Sequence, residues 1–218
     1  MQSTTIEGWL TDAEGELLYS LAKRCCGAGV IVEIGSWKGK STVCLARGSN
    51  AGSKTPVFAV DPNIPTEFQQ NIVQAGVEHL VVPIIKTSEE ASSNFIQPVE
   101  LLFIDGDHQY ESVKRDFDLW FPRLIESGTI VFHDSVLLPG VVRVVRDHVY
   151  FSRHFRRTGF VHSSTYAQKV FHNSFVDRIK NISMLFLKNL YARSTQIPIP
   201  TSLRSMLGKT ARSLINRI

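Results

Sequence analysis

Cysteine is scarce: three residues in 218, two of them adjacent. Cys25, Cys26 and Cys44 give neither a disulfide framework nor a metal-ligand spacing, so buried thiols in a reducing compartment are expected. The first residues, Met1 to Glu7, lack the basic-then-apolar pattern of a secretory signal. No apolar run approaches the roughly 20 residues of a membrane-spanning helix. These absences point to a cytoplasmic protein. Repeats and low-complexity tracts are missing too, which excludes a solenoid.

Acidic residues are scarce at one end only. Residues 150–218 hold 12 Lys and Arg against a single Asp, a net +11, whereas residues 1–149 hold 12 against 19, a net −7. So abrupt a switch, near residue 150, marks two parts with different partners. The hydrophobic fraction of 43% is that of a soluble globular protein, and a sizeable core is expected.

Thr11 and Glu14 have the spacing of a capping box, opening a helix from Asp12 to Arg24. Val30 to Ile34 is an apolar strand ending at the turn Gly35 to Gly39, and Ser41 to Arg47 follows as a helix. A second strand, Val57 to Asp61, is closed by Pro62. Helical residues from Pro65 to Ala75 lead to a third strand, Leu80 to Ile85, and a fourth runs from Glu100 to Ile104. Periodicity predicts a helix from Gln109 to Glu126, stopped by Ser127-Gly128, then a fifth strand from Thr129 to Phe132. An antiparallel hairpin is expected over Gly159 to Phe171.

Short β-branched runs alternating with helices predict an α/β fold. Its sheet is doubly wound, mostly parallel, Rossmann-like and seven-stranded, with helices on both faces. Such sheets bind ligands beyond the carboxyl ends of their strands. Those ends carry Glu33, Asp61, Asp105 and the pair His133-Asp134. Nearly every strand finishes on an ionisable side chain.

The turn Glu33-Ile34-Gly35-Ser36-Trp37-Lys38-Gly39 offers close backbone approach and free N–H groups at a helix start. It lacks the third glycine of the dinucleotide fingerprint, and its acidic residue suits a ligand with a cationic amino group. Asp61 is placed to accept hydrogen bonds from ribose hydroxyls. With these motifs the chain resembles the class I methyltransferases that use S-adenosylmethionine (SAM). The resemblance implies that Glu33 and Gly35 lie by the methionine portion, Asp61 by the ribose, and Thr87 and Ser88 by the adenine, with Ser36, Gly39 and Asp105 as further candidate cofactor contacts.

Asp105-Gly106-Asp107-His108-Gln109-Tyr110 and His133-Asp134-Ser135 should overlook one crevice. An alcohol is a poor nucleophile while protonated, so a methyl-accepting hydroxyl must lose or share its proton. In one arrangement a divalent cation, Mg²⁺ or Mn²⁺, is held by Asp105, Asp134 and His133, with His108 as general base. In the other no metal is bound, and His108 or His133 takes the proton directly. Asp107 and Tyr110 read as scaffold. The two segments resemble small O-methyltransferases of sugars and natural products, the macrocin and mycinamicin subgroup. There, the resemblance implies, Asp105 binds metal and His108 is the base, but a Glu-Asp pair stands where this chain has His133-Asp134.

The expected activity is methyl transfer from SAM to a hydroxyl of a sugar, glycolipid or natural-product metabolite. A nucleotide-dependent oxidoreductase and a catalytically silent, membrane-attached module are the readings from other classes. The domain is expected over 1–171, with its lid formed by the segment of Ile6 and Trp9 and by residues beyond 135. Residues 172–218 are expected as a basic, amphipathic helical extension. Phe175 to Tyr191 has helical periodicity, and Leu203, Met206, Leu207, Leu214 and Ile218 would share one face of a helix over Ser202 to Ile218. Such a segment suits an anionic membrane surface at its periphery, or a dimer partner, and nucleic acid is disfavoured for want of stacking aromatics.

Overall fold

A computed structural model describes residues 6–196. Alternation along the strands builds two cores at once, because successive side chains leave a strand on opposite faces. In β1 (Val30–Ile34), Ile31 turns to one side and Val32 to the other, and both are fully buried. The same split divides Leu101 and Phe103 from Leu102 and Ile104 in β4 (Val99–Ile104), and Val131 from Ile130 in β5 (Leu124–Phe132). The sheet therefore needs a helical layer on each face.

Against Ile31, Phe103 and Val131 pack α1 (Asp12–Lys23), α2 (Lys40–Asn50) and α3 (Thr66–Gln74), through Leu18, Leu45 and Phe68. The other face is covered by α4 (Ser88–Ser93), α5 (Tyr110–Trp120), α6 (Pro139–Val145) and α7 (Phe175–Gln196). Ala91, Trp120, Val141 and Leu185 are their contributions to that core. The remaining strands are β2 (Val57–Val60), β3 (Val81–Ile84), β6 (Phe155–Val161) and β7 (Ser164–Lys169).

The seven strands run in the order β3-β2-β1-β4-β5-β7-β6. The first five are parallel, and β7 runs antiparallel to both β5 and β6. The chain winds outward from β1 to β3, then returns to place β4 on the other side of β1. Between β1 and β4 lies the switch point where such folds open a crevice.

The helix expected through Glu126 ends earlier. Pro122 lies in a 3₁₀ turn, Phe121–Arg123, directly after α5, where it cannot donate to a continuing helix. β5 starts at Leu124, and an irregularity in its pairing with β4 takes up Ser127, whose φ is 66°. Two short helices, α4 and α6, stand where no helix was expected. The extension expected from residue 172 begins as α7, which buries Asn181, Leu185 and Lys188 against the domain. The helix expected over Ser202 to Ile218 lies outside the described residues.

Candidate functional site

The turn after β1 leaves no room for a side chain. Gly35 has φ of 87°, and a Cβ there would meet the Asp105 carbonyl oxygen at 2.2 Å. Only glycine fits both the left-handed backbone and the contact. The glycine thereby lets the loops after β1 and β4 touch. Trp37 follows with φ of 39°, a strained value for a bulky residue, and its ring stacks on exposed Trp9 at 5.0 Å between centroids.

Asp61, at the end of β2, fixes this turn. Its Oδ2 accepts the Ser36 and Trp37 N–H groups at 3.0 and 2.9 Å, and its Oδ1 accepts the Asn63 N–H at 2.8 Å. Glu33 does something else. It is fully buried, accepts the Ser41 hydroxyl at 2.5 Å, and accepts the Thr42 hydroxyl as well. Its carboxylate thus ties β1 to the first turn of α2. Burial, only partly offset by those hydroxyls, pushes its pKa up to about 7.

Beyond β4 and β5 the charged groups converge. His133 is buried, with Nδ1 2.9 Å from Asp105 Oδ1 and 3.5 Å from Asp134 Oδ2. Its Nε2 lies 3.5 Å from Glu14 Oε1 and 3.4 Å from Ser163 Oγ. Burial would lower the imidazole pKa, but hydrogen bonds to Asp105, Asp134 and Glu14 overcome it and hold the ring protonated. Burial raises the Asp105 pKa against the pull of His133. The hydrogen bond from His133 lowers that of Asp134, against the opposing effect of burial. His108 Nε2 lies 3.2 Å from Asp134 Oδ2 and remains largely open to solvent. Asp134 has φ of 52°, so its carboxylate is aimed by a strained turn.

One cavity of ≈ 630 Å³ joins these groups, within the usual range for small-ligand sites. Gly35, Ser36, Asp61 and Ser88 line one part, and Asp105, His108, His133 and Asp134 another. Trp9, Trp37 and Lys40 contribute to the same wall. Glu33 and Gly39 are absent from the lining. Gly39 starts α2 with φ of 83° and abuts the Phe68 ring. Ser36 Oγ, by contrast, is buried in the lining, close enough to the Glu33 carboxylate to help lower its pKa but without a well-aligned hydrogen bond.

The ligand atoms of Asp105, His108 and Asp134 lie within 4.8 Å of one another, a spacing that suits one cation. His133 was the expected third ligand, but it stands behind this trio with both ring nitrogens directed at carboxylates or Ser163. Asp107 caps the start of α5 through Gln109 N–H and Ser112, and Tyr110 lies under Arg143.

Glu14 was legible in the sequence only as a cap. It does cap α1, with Thr11 N–H and hydroxyl on Oε2 at 3.0 and 2.7 Å. Its other oxygen reaches Ser163, Ser164 and His133, behind the site. No local signal marks that second task.

Residues 32–135 match the family described as a methyltransferase domain. An uncharacterized protein of Acanthamoeba polyphaga mimivirus is 30% identical over 117 residues, covering 50% of this chain and 48% of that one. A catechol O-methyltransferase of Niastella koreensis is 28% identical over 136 residues, covering 59% and 58%. The chain thus spans about half the length of these curated relatives. The solved structure of an O-methyltransferase from Bacillus cereus in complex with SAH superposes with a TM-score of 0.58 at 18% identity, covering 73% of this chain and 82% of that one. The sheet and its helices have the Rossmann-like fold of such proteins.

Proposed function

We propose that this chain transfers a methyl group from SAM to a hydroxyl oxygen of a small molecule. The observation that carries the reading is the single cavity at the switch point. It brings the Gly35-Ser36 turn and Asp61 together with Asp105, His108 and Asp134. The matched methyltransferase family and the catechol O-methyltransferase relative support the same activity.

The residues present fit the cofactor. The buried Ser36 hydroxyl and the side-chain-free surface of Gly35, both in the cavity lining, would receive its methionine end. Asp61 would take the ribose hydroxyls and Ser88 would border the adenine. Glu33 then acts through α2, holding the helix start in place, and Gly39 acts through the turn. When bound, SAM supplies a methyl group on a sulfonium, an electrophile that awaits an oxygen nucleophile.

His108 is the residue assigned to the acceptor's proton. Its exposed imidazole sits at the cavity with Nε2 3.2 Å from Asp134 Oδ2, which orients the ring. Protonated His133 underlies both aspartates and keeps their carboxylates in place. Trp9 stacked on Trp37 gives the acceptor an apolar wall, suited to the ring of a sugar or natural product.

Two aspartates and a histidine also form a donor set for Mg²⁺ or Mn²⁺, which would acidify the acceptor hydroxyl. In that case His108 is a ligand instead of the base. The His108–Asp134 contact favours the metal-free version, since it already has the geometry of an oriented base. Turnover that survives chelation supports the base; turnover lost with chelator and restored by Mn²⁺ supports the ligand.

Calorimetric titration tests the cofactor. SAM should bind, NAD should not, and Asp61→Ala should weaken SAM at least about tenfold through loss of charged hydrogen bonds. Binding of NAD alone would overturn the proposal.

A further inference from the structure

The polarity of α7 is inverted. Its inner face, against the domain, buries Asn181, Leu185 and Lys188, and Ser194 is buried about a turn and a half further on. Three of these four are polar, and each is bonded. Asn181 joins the Thr158 hydroxyl to the Phe155 carbonyl, and Lys188 Nζ donates to the Ser135 carbonyl at 2.8 Å. The outer face carries Phe175, Ile179, Ile182, Phe186 and Leu190, at spacings that keep them on one stripe. Their exposures run from 43% to 74%. A surface helix of a water-soluble domain normally shows the opposite arrangement, and so long an apolar stripe marks an interaction surface.

Charge identifies the occupant. Arg178 and Lys180 border the stripe, and exposed Arg153 and Arg157 lie on neighbouring elements. Asp177, the single acidic residue from 150 to the last position, is spent on capping α7 through Ser174. A second copy docking by the same face would bring basic borders together. The chain's own final residues, 197–218, would do the same, since they hold four basic residues and no acidic one. A surface that is apolar inside and anionic at its rim satisfies both features.

We infer that α7 lies in the interface of an anionic lipid bilayer, with Phe175, Ile179, Ile182, Phe186 and Leu190 among the acyl chains. Arg178 and Lys180 extend their stems over the apolar zone and place their charges at the phosphates. Among the described residues no helix is long and apolar enough to cross a membrane, so the contact is peripheral. Twenty-two residues give α7 a length of about 33 Å, ample for several lipids.

Sedimentation of the full chain with vesicles tests this. Vesicles of phosphatidylcholine containing about one third phosphatidylserine should carry the protein down, and phosphatidylcholine alone should not. Raising salt from about 0.1 M to about 0.5 M should release most of it. The double variant Ile179→Asp/Phe186→Asp should bind about a hundredfold more weakly, having lost two buried apolar side chains. Arg178→Glu/Lys180→Glu, which leaves the apolar residues intact, should also lose binding, which guards against misfolding of the first variant. The inference fails if the chain ignores anionic vesicles or if both variants bind as the parent does. A dimer seen by light scattering and broken by Ile179→Asp/Phe186→Asp, with no vesicle binding, would overturn it in favour of a second copy.

Discussion

Each strand-end carboxylate meets a different neighbour, and the neighbour decides its task. Asp61, Asp105 and Asp134 stand where the ends of apolar runs predicted them, and all three reach the cavity. Glu33 lies two residues short of that level, inside β1 opposite Ala59 and Phe103, and turns to Ser41 and Thr42. Strand alternation separates these outcomes: Glu33 shares the face of Ile31, which α2 covers, whereas the three aspartates lie beyond the ends of their strands. The burial of Glu33 has a measurable consequence. Its folded pKa, about 7, lies above its ordinary value of 4.5. The folded state therefore holds the proton more tightly, and this stability is complete below about pH 4.5 and lost as pH rises through 7. Glu33→Gln should be more stable than the parent by on the order of 2–3 kcal/mol at pH 8. The advantage should vanish near pH 4.5. Urea denaturation at the two pH values checks it, and an equal difference at both would mean that burial does not raise the Glu33 pKa.

Elements were legible where the chain carries long apolar runs or paired caps. The strands of the parallel sheet read clearly because both faces are buried, which leaves few polar residues inside them. Boundaries failed where a single residue overrides periodicity, as Pro122 does after α5. The inward face of α7 was hidden for a related reason. A lysine at a buried helix position looks like solvent-facing charge until its carbonyl partner is known. Burial lowers the Lys188 pKa to about 7, and its amine holds Ser135, the residue after Asp134. A folded pKa below the unfolded 10.5 means that burying the charge costs stability most below pH 7, and less as pH rises toward 10.5. Lys188→Met keeps the stem and removes the charge. Its stability relative to the parent should thus be most favourable below pH 7 and decline toward pH 10. If the tether positions Asp134, kcat for methyl transfer should fall about tenfold with SAM affinity unchanged. An unaltered kcat would confine Lys188 to a structural role.

At the scale of the molecule, contacts between distant parts of the chain complete the site. Glu14 belongs to the first helix, yet it accepts from Ser163 N–H and hydroxyl at 3.0 and 2.7 Å, in the turn between β6 and β7, 149 residues away. It joins the first element to the last hairpin across the back of His133. Burial would raise its pKa, but hydrogen bonds from His133, Ser163 and Thr11 carry it well below the usual carboxylate range. A depressed folded pKa gives stability that is present above about pH 4.5 and lost as pH falls toward the folded value. Glu14→Ala removes one of the three carboxylates around His133, which keeps Asp105 and Asp134, and leaves the Ser163 N–H in the β6–β7 turn without its acceptor. It should cost about 1–3 kcal/mol at pH 7, the usual penalty for a buried donor left without its acceptor. Because the parent itself loses this contribution in acid, the gap between parent and variant should narrow by pH 3. Matched urea curves at pH 7 and pH 3 measure it. A gap that stays constant would mean the loss comes from packing alone, and that the charge on Glu14 does not bind the two ends of the chain together.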